Sequence, residues 1–113
     1  MARLFYLIGP SGVGKDTLLR AIQTETALTN LHIARRYITR ASHPDHENHI
    51  ELSEADFEMR LQAQQFLFDW RSHGYRYAIG REVLNWLEDG NDVVVNGSRG
   101  YLESAREIWP ELV

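Results

Sequence analysis

The sequence of 113 residues contains no cysteine. This removes disulfide frameworks, zinc–thiolate sites and thiol nucleophiles from consideration. It has no apolar run approaching the roughly 18 to 20 residues needed to cross a bilayer, and Met1 to Ile8 is too short and too poorly flanked to read as a signal peptide. The expected compartment is the cytoplasm. Cations are outnumbered, 12 Lys and Arg against 16 Asp and Glu for a formal charge of -4, which argues against a surface built to neutralise a nucleic-acid backbone. The expected partners are small molecules, with neither nucleic acid nor membrane among them. Lysine is nearly missing: Lys15 is the only one, and every other fixed cation is arginine. A coding bias explains that rarity as well as function does, so the place of Lys15 in the chain carries the argument. What remains is ordinary: 43% hydrophobic and 25% charged residues suit one soluble globular domain.

Leu4 to Ile8 is an apolar run without alternation, as in a strand buried on both faces, and it ends at Gly9-Pro10. Leu18, Leu19 and Ile22 then recur at helical spacing. His32 to Thr39 reads as a second strand. The polar stretch Ala41 to Asn48, with Pro44, reads as a loop. Ser53 is an N-cap for a helix over Glu54 to Gln64, with acidic residues in its first turn. Phe66 to Trp70 and Tyr75 to Ile79 read as strands joined by a turn at Ser72-His73-Gly74. Val83, Leu84 and Leu87 mark a helix stopped by Gly90. Asp92 to Val95 has the β-branched run of a central parallel strand, and a last helix, about Leu102 to Ile108, stops before Pro110.

The chemistry concentrates in Gly9-Pro10-Ser11-Gly12-Val13-Gly14-Lys15, which matches the first seven positions of the phosphate-loop pattern G-x-x-x-x-G-K-[ST]. Glycines let successive backbone N–H groups converge on phosphate oxygens, a helix N-terminus adds partial positive charge, and the lysine reaches the β- and γ-phosphates. Strand before and helix after are the context that this motif needs. ATP is the expected cofactor. The eighth position departs from the pattern: Asp16 stands where a magnesium-binding hydroxyl is usual, and Thr17 follows. A carboxylate is a good hard-oxygen ligand for Mg²⁺, so Asp16 is the candidate metal residue, with a plain helix N-terminal acid as the alternative.

The phosphate loop, then Thr39-Arg40, then His73-Gly74-Tyr75-Arg76-Tyr77, resemble the guanylate-kinase superfamily in the same order. Gly14 to Thr17, Arg36-Tyr37-Ile38-Thr39-Arg40, Glu47-Asn48-His49-Ile50 and Val95-Asn96-Gly97-Ser98-Arg99 resemble its ribose 1,5-bisphosphate phosphokinase branch more closely. The resemblance implies an α/β fold of the P-loop NTPase type, three-layered, with a parallel core sheet. It implies one kinase domain over residues 1–113 with a small acceptor-binding insertion at about 36–80. It also implies the reaction, transfer from ATP to ribose 1,5-bisphosphate giving 5-phosphoribosyl 1-diphosphate.

Departures from guanylate kinases point the same way. Phe68 replaces their base-reading acid, with Asp69 displaced onto the opposite strand face, and Asn48 stands in place of a phosphate-binding tyrosine. A site without polar groups for guanine loses discrimination for that base. Arg36 and Arg40 are four apart near a strand end, where two guanidinium groups can clamp phosphates. Arg40 and Lys15 are the candidate catalytic residues. Arg35 reads equally well as a surface residue. Tyr77 matches an acceptor-site tyrosine of the family, with a ring packed on Trp70 as the alternative. Asn96 and Ser98 close a strand at its carboxyl end, where open α/β sheets place ligands. His43, His46 and His49 read as solvated loop histidines before they read as a metal site.

Two rivals stay open, a nucleoside monophosphate kinase and a guanylate-kinase-like binding module without catalysis. By the resemblance, the chain stops at Glu111-Leu112-Val113, where the next core strand is due, so the lid and the last strands fall outside it. The expectation is an edge prone to self-association and little kinase activity from these residues alone.

Overall fold

The computed structural model describes residues 2–8, 31–39 and 49–113. In chain order the elements are β1 (Leu4–Leu7), β2 (Leu31–Ile33), β3 (Arg36–Ile38), β4 (Ile50–Glu51), α1 (Glu54–Gln62), β5 (Phe66–Ser72), β6 (Tyr75–Gly80), α2 (Glu82–Glu88), β7 (Asp92–Asn96), a 3₁₀ turn (Arg99–Tyr101) and α3 (Leu102–Ile108). The helix expected after Lys15 and the loop over Ala41 to Asn48 lie outside the described residues. No helix among the described residues is long and apolar enough to cross a membrane.

Three strands form a parallel sheet in the order β1-β7-β2, with Leu4 opposite Val93, Leu7 opposite Asn96 and Ile33 opposite Val94. The central strand is Asp92-Val93-Val94-Val95-Asn96, and its valines are buried on both faces, which is why it reads as a continuous β-branched run. On the outer side of β1, Val113 donates to the Leu4 carbonyl at 3.0 Å and accepts from the Tyr6 amide at 3.0 Å. That exchange has the parallel pattern.

The second sheet is mixed, in the order β4-β3-β6-β5. Its hairpin turns at His73 (φ 53°) and Gly74 (φ 81°), the two left-handed residues that a tight hairpin with right-handed strand twist requires. A bulge between Phe66 and Phe68 shifts the alternation, so Phe66 faces one side of the sheet while Phe68 and Trp70 face the other. One face packs Ile38, Phe68, Trp70, Tyr77 and Ile79 against Leu4, Tyr6, Val93 and Val95 of the parallel sheet. The other face packs Tyr37, Phe66 and Ala78 against Phe57 of α1. Ser53 Oγ accepts from the Asp56 amide at 3.0 Å and caps α1 as its sequence predicts.

Two expectations need correction. His32 to Thr39 is not one strand: β2 pairs with β7, whereas β3 pairs with β6 and β4 in the other sheet. Ala34 and Arg35 make the crossing, and the Ala34 amide still donates to Val94 at 2.9 Å before the chain leaves. The helix over Glu54 ends at Gln62, because Gln64 takes φ 58° and redirects the chain into β5.

Candidate functional site

The carboxyl ends of β1 and β7 lie side by side, since Leu7 is opposite Asn96. This is the end of a parallel sheet at which ligands collect, and β1 leads from it into Gly9 to Thr17. Three contacts fix the turn after β7 against β1. The Gly97 amide donates to the Leu7 carbonyl at 2.9 Å, and the Tyr6 hydroxyl donates to the Ser98 carbonyl at 2.7 Å. Gly97 also lies so close beneath the Tyr6 ring that a Cβ there would overlap it. Asn96 is 3% exposed and Ser98 half-buried. Burial pushes the Tyr6 phenol up to about 12, so it stays a proton donor through the neutral range.

The second sheet contributes a row of side chains. Trp70 and Tyr77 are directly opposite each other across β5 and β6, and their rings stack 5.6 Å apart at 5°. Tyr77 in turn is opposite Ile38, while Arg36 is opposite Ile79, so Arg36 lies on the diagonal from Tyr77 on the same face. Its guanidinium carbon sits 5.2 Å from the Tyr77 ring centroid, within cation–π range. Of the two readings of Tyr77, ring packing on Trp70 is what the structure shows, with the residue 6% exposed.

Tyr101 joins the two parts. Its ring meets Trp70 at 5.5 Å and Phe68 at 6.0 Å, and its hydroxyl accepts from the Asp69 amide at 3.4 Å. Burial raises its pKa above the ordinary phenol value. Phe68 is fully buried and stands edge-on to Tyr6 at 6.2 Å. Asp69 is opposite Ala78, on the face away from Phe68 as the alternation predicts. Tyr6 and Tyr101 were not among the sequence candidates. Each lies in or beside an apolar or glycine-containing stretch and signals core, so only the fold reveals that they brace the turn carrying Asn96 and Ser98.

Of the sequence-predicted site residues, the structure brings Arg36 and Tyr77 into contact and sets Asn96 and Ser98 at the end of the parallel sheet. Gly9, Pro10, Ser11, Gly12, Val13, Gly14, Lys15, Asp16 and Thr17, together with Arg40 and Asn48, lie outside the described residues. His43 and His46 do so as well. His49 does not fit the solvated reading: it is 4% exposed, and its carbonyl accepts from Arg35 Nη2 at 3.3 Å. Arg35 itself is exposed. Among the described residues no group of three or more His, Asp or Glu side chains could hold a metal ion.

Comparison with known proteins decides the relationship. The chain is 51% identical over 109 residues to the ribose 1,5-bisphosphate phosphokinase PhnN of Pectobacterium parmentieri, an alignment covering 96% of this chain and 57% of that protein. The chain is a relative of the ribose 1,5-bisphosphate phosphokinases. It is 46% identical to the ribose 1,5-bisphosphate phosphokinase PhnN of Desulfomicrobium baculatum, covering 100% of this chain and 61% of that protein. The corresponding Psychromonas ingrahamii phosphokinase is 50% identical over 111 residues, with 98% of this chain and 57% of that protein covered. The chain thus spans about three-fifths of the length of these phosphokinases. No protein-family model matches it. Its fold is guanylate-kinase-like: guanylate kinase from Anaplasma phagocytophilum superposes with a TM-score of 0.78 at 15% identity, covering 99% of this chain and 57% of that one.

Proposed function

We propose that this chain carries the phosphate loop and the acceptor-phosphate site of an ATP-dependent kinase that converts ribose 1,5-bisphosphate to 5-phosphoribosyl 1-diphosphate. In this reading the domain is a single P-loop kinase unit over residues 1–113. The second sheet, formed by strands between Arg36 and Gly80, is the acceptor-binding insertion. The enzyme would act in the cytoplasm.

An oxygen of the acceptor 1-phosphate attacks the γ-phosphorus of ATP, the bond from that phosphorus to the β,γ-bridging oxygen breaks, and ADP leaves. The attacking phosphate is already anionic at neutral pH, so no general base is assigned. Catalysis then consists of positioning and charge neutralisation. The amides of Gly9 to Lys15, with the helix that the sequence predicts after them, would cradle the nucleotide phosphates, and Thr17 would lie at their edge. Lys15 would place its charge against the β- and γ-phosphates. Mg²⁺, when bound, supplies further neutralisation of the polyphosphate, and Asp16 is the residue proposed to hold it. Arg36 and Arg40 would hold the acceptor phosphates, with Asn48, Asn96 and Ser98 completing the site and the ring of Tyr77 flanking Arg36.

The observation that carries this reading is Phe68, fully buried between Tyr6 and Tyr101. In guanylate kinases, by the resemblance drawn above, a base-reading acid belongs there. A buried phenyl ring cannot accept hydrogen bonds from guanine, whereas Arg36 on the same face suits an acceptor made of sugar and phosphates. The test is turnover of this chain extended to the full length of its phosphokinase relatives, with Mg-ATP and a panel of ribose phosphates and nucleoside monophosphates, read as ADP release. Turnover restricted to the ribose bisphosphate supports the reading. An acceptor profile that depends on the base favours a nucleoside monophosphate kinase, and loss of every turnover with ATP binding retained favours a binding module.

A further inference from the structure

We propose that Tyr77 serves the acceptor site through the face of its ring: stacked on Trp70, it forms a platform that fixes the guanidinium of Arg36, and its hydroxyl is dispensable. The inference rests on the reading of Arg36 as a phosphate ligand and adds to it a positioning residue that acts through that arginine.

The geometry is a row across three adjacent strands. Trp70 on β5 is directly opposite Tyr77 on β6, and Arg36 on β3 lies on the diagonal from Tyr77. The indole and phenol planes are 5° from parallel with centroids 5.6 Å apart, and the guanidinium carbon is 5.2 Å from the phenol centroid. Trp70 is in turn backed by Tyr101 at 5.5 Å, so the platform is held from behind by the segment that follows Asn96 and Ser98. An arginine side chain has several rotatable bonds and loses much freedom when it is fixed. A ring face restricts it while using none of its five N–H donors, which are the groups that recognise an oxyanion. A tyrosine presenting its hydroxyl to phosphate would not need a face-to-face indole behind it. A ring holding a cation at its face benefits from one, because the stack sets the plane and height of that face.

The test is calorimetric titration of the purified chain and its variants with ribose 1,5-bisphosphate, with far-UV circular dichroism as the check on folding. Tyr77→Phe keeps the ring and is expected to bind within about twofold of the parent, while Tyr77→Leu is expected to bind about fivefold to tenfold more weakly. In an Arg36→Gln background, Tyr77→Leu should cause no further loss, because a residue that acts through Arg36 has nothing left to position. If Tyr77→Leu does not fold, pentafluorophenylalanine at position 77 preserves the shape of the ring while reversing its quadrupole, and is expected to weaken binding as leucine would. Equal losses in Tyr77→Phe and Tyr77→Leu would overturn the proposal in favour of a hydroxyl contact. Fully additive losses with Arg36→Gln, or full binding by the fluorinated variant, would overturn it as well. A parent chain that shows no binding would instead refute the acceptor reading of Arg36, and the platform with it.

Discussion

The Tyr6 hydroxyl donates a 2.7 Å hydrogen bond to the carbonyl of Ser98, tying β1 to the turn that closes β7. The two residues are 92 positions apart in the chain, so the bond can form only when β1 and β7 are paired. Tyr6→Phe keeps the ring and its edge contact with Phe68 but leaves the Ser98 carbonyl without this donor. The expected cost is about 0.5 to 1.5 kcal/mol, the usual net worth of one hydrogen bond, because the Ser98 carbonyl still accepts from the Tyr101 amide at 3.1 Å. Urea unfolding should show the lower midpoint at an unchanged slope.

Alkaline pH should weaken the fold through the same buried phenol. Burial raises the Tyr6 phenol from 10.0 to about 12, and Tyr37 and Tyr101 are shifted in the same direction, chiefly by burial. A phenol whose pKa is higher when folded keeps its proton in the native state after the unfolded chain has lost it. Its contribution to stability is therefore complete below about pH 10 and declines as pH rises towards 12. Thermal unfolding followed between pH 8 and pH 11 should show a falling Tm above about pH 10, and Tyr6→Phe should make that fall shallower.

Gly97 tests the close approach from the other side. A Cβ there would overlap the Tyr6 ring, and the ring is held by its contacts with Phe68 and Ser98. Gly97→Ala should cost about 1 to 3 kcal/mol through forced displacement. Gly100, where an added Cβ would meet only Ser98 Oγ at 3.8 Å, is the control. Gly100→Ala should leave the denaturation midpoint nearly unchanged, and equal losses at the two glycines would remove the steric explanation.

The proposed phosphate loop and the proposed acceptor clamp should separate kinetically. Lys15→Ala is expected to abolish transfer and weaken ATP binding while the circular dichroism spectrum is kept, because the point charge proposed to face the β- and γ-phosphates is lost. Arg40→Ala should chiefly raise the KM for the acceptor and leave ATP binding intact. A selective loss of ATP binding in Arg40→Ala would move that arginine to the donor side.

The sequence was most legible where one element does one thing. The valines of β7, the cap at Ser53 and the His73-Gly74 turn each follow from local chemistry that the tertiary structure leaves in place. The segment from Leu31 to Ile38 was misread because both halves are good strand formers and no glycine or proline marks the crossing at Ala34 and Arg35. The division follows from competing pairings, with β7 for one half and β6 for the other, and these are set about 40 to 60 residues further along the chain. His49 was misread for a similar reason: a polar neighbourhood in sequence predicts solvent, whereas the folded chain leaves His49 only 4% exposed. At the candidate site the sequence proposed Arg36 and Tyr77, which the fold brings into contact, and Asn96 and Ser98, which it sets at the end of the parallel sheet. It could not identify Tyr6 and Tyr101, since a buried aromatic that braces a turn has the same pattern as one that only fills space.

Phosphorus NMR, with Mg-ATP and ribose 1,5-bisphosphate, of this chain extended to the full length of its phosphokinase relatives tests the central claim most directly. The account predicts loss of the 1-phosphate resonance of the sugar together with the γ-phosphate of ATP, and matching growth of a diphosphate pair attached to the sugar and of ADP. These changes should be absent in Lys15→Ala. Phosphate appearing on guanosine 5′-monophosphate in a mixture of the two acceptors, with the ribose bisphosphate unchanged, would contradict it.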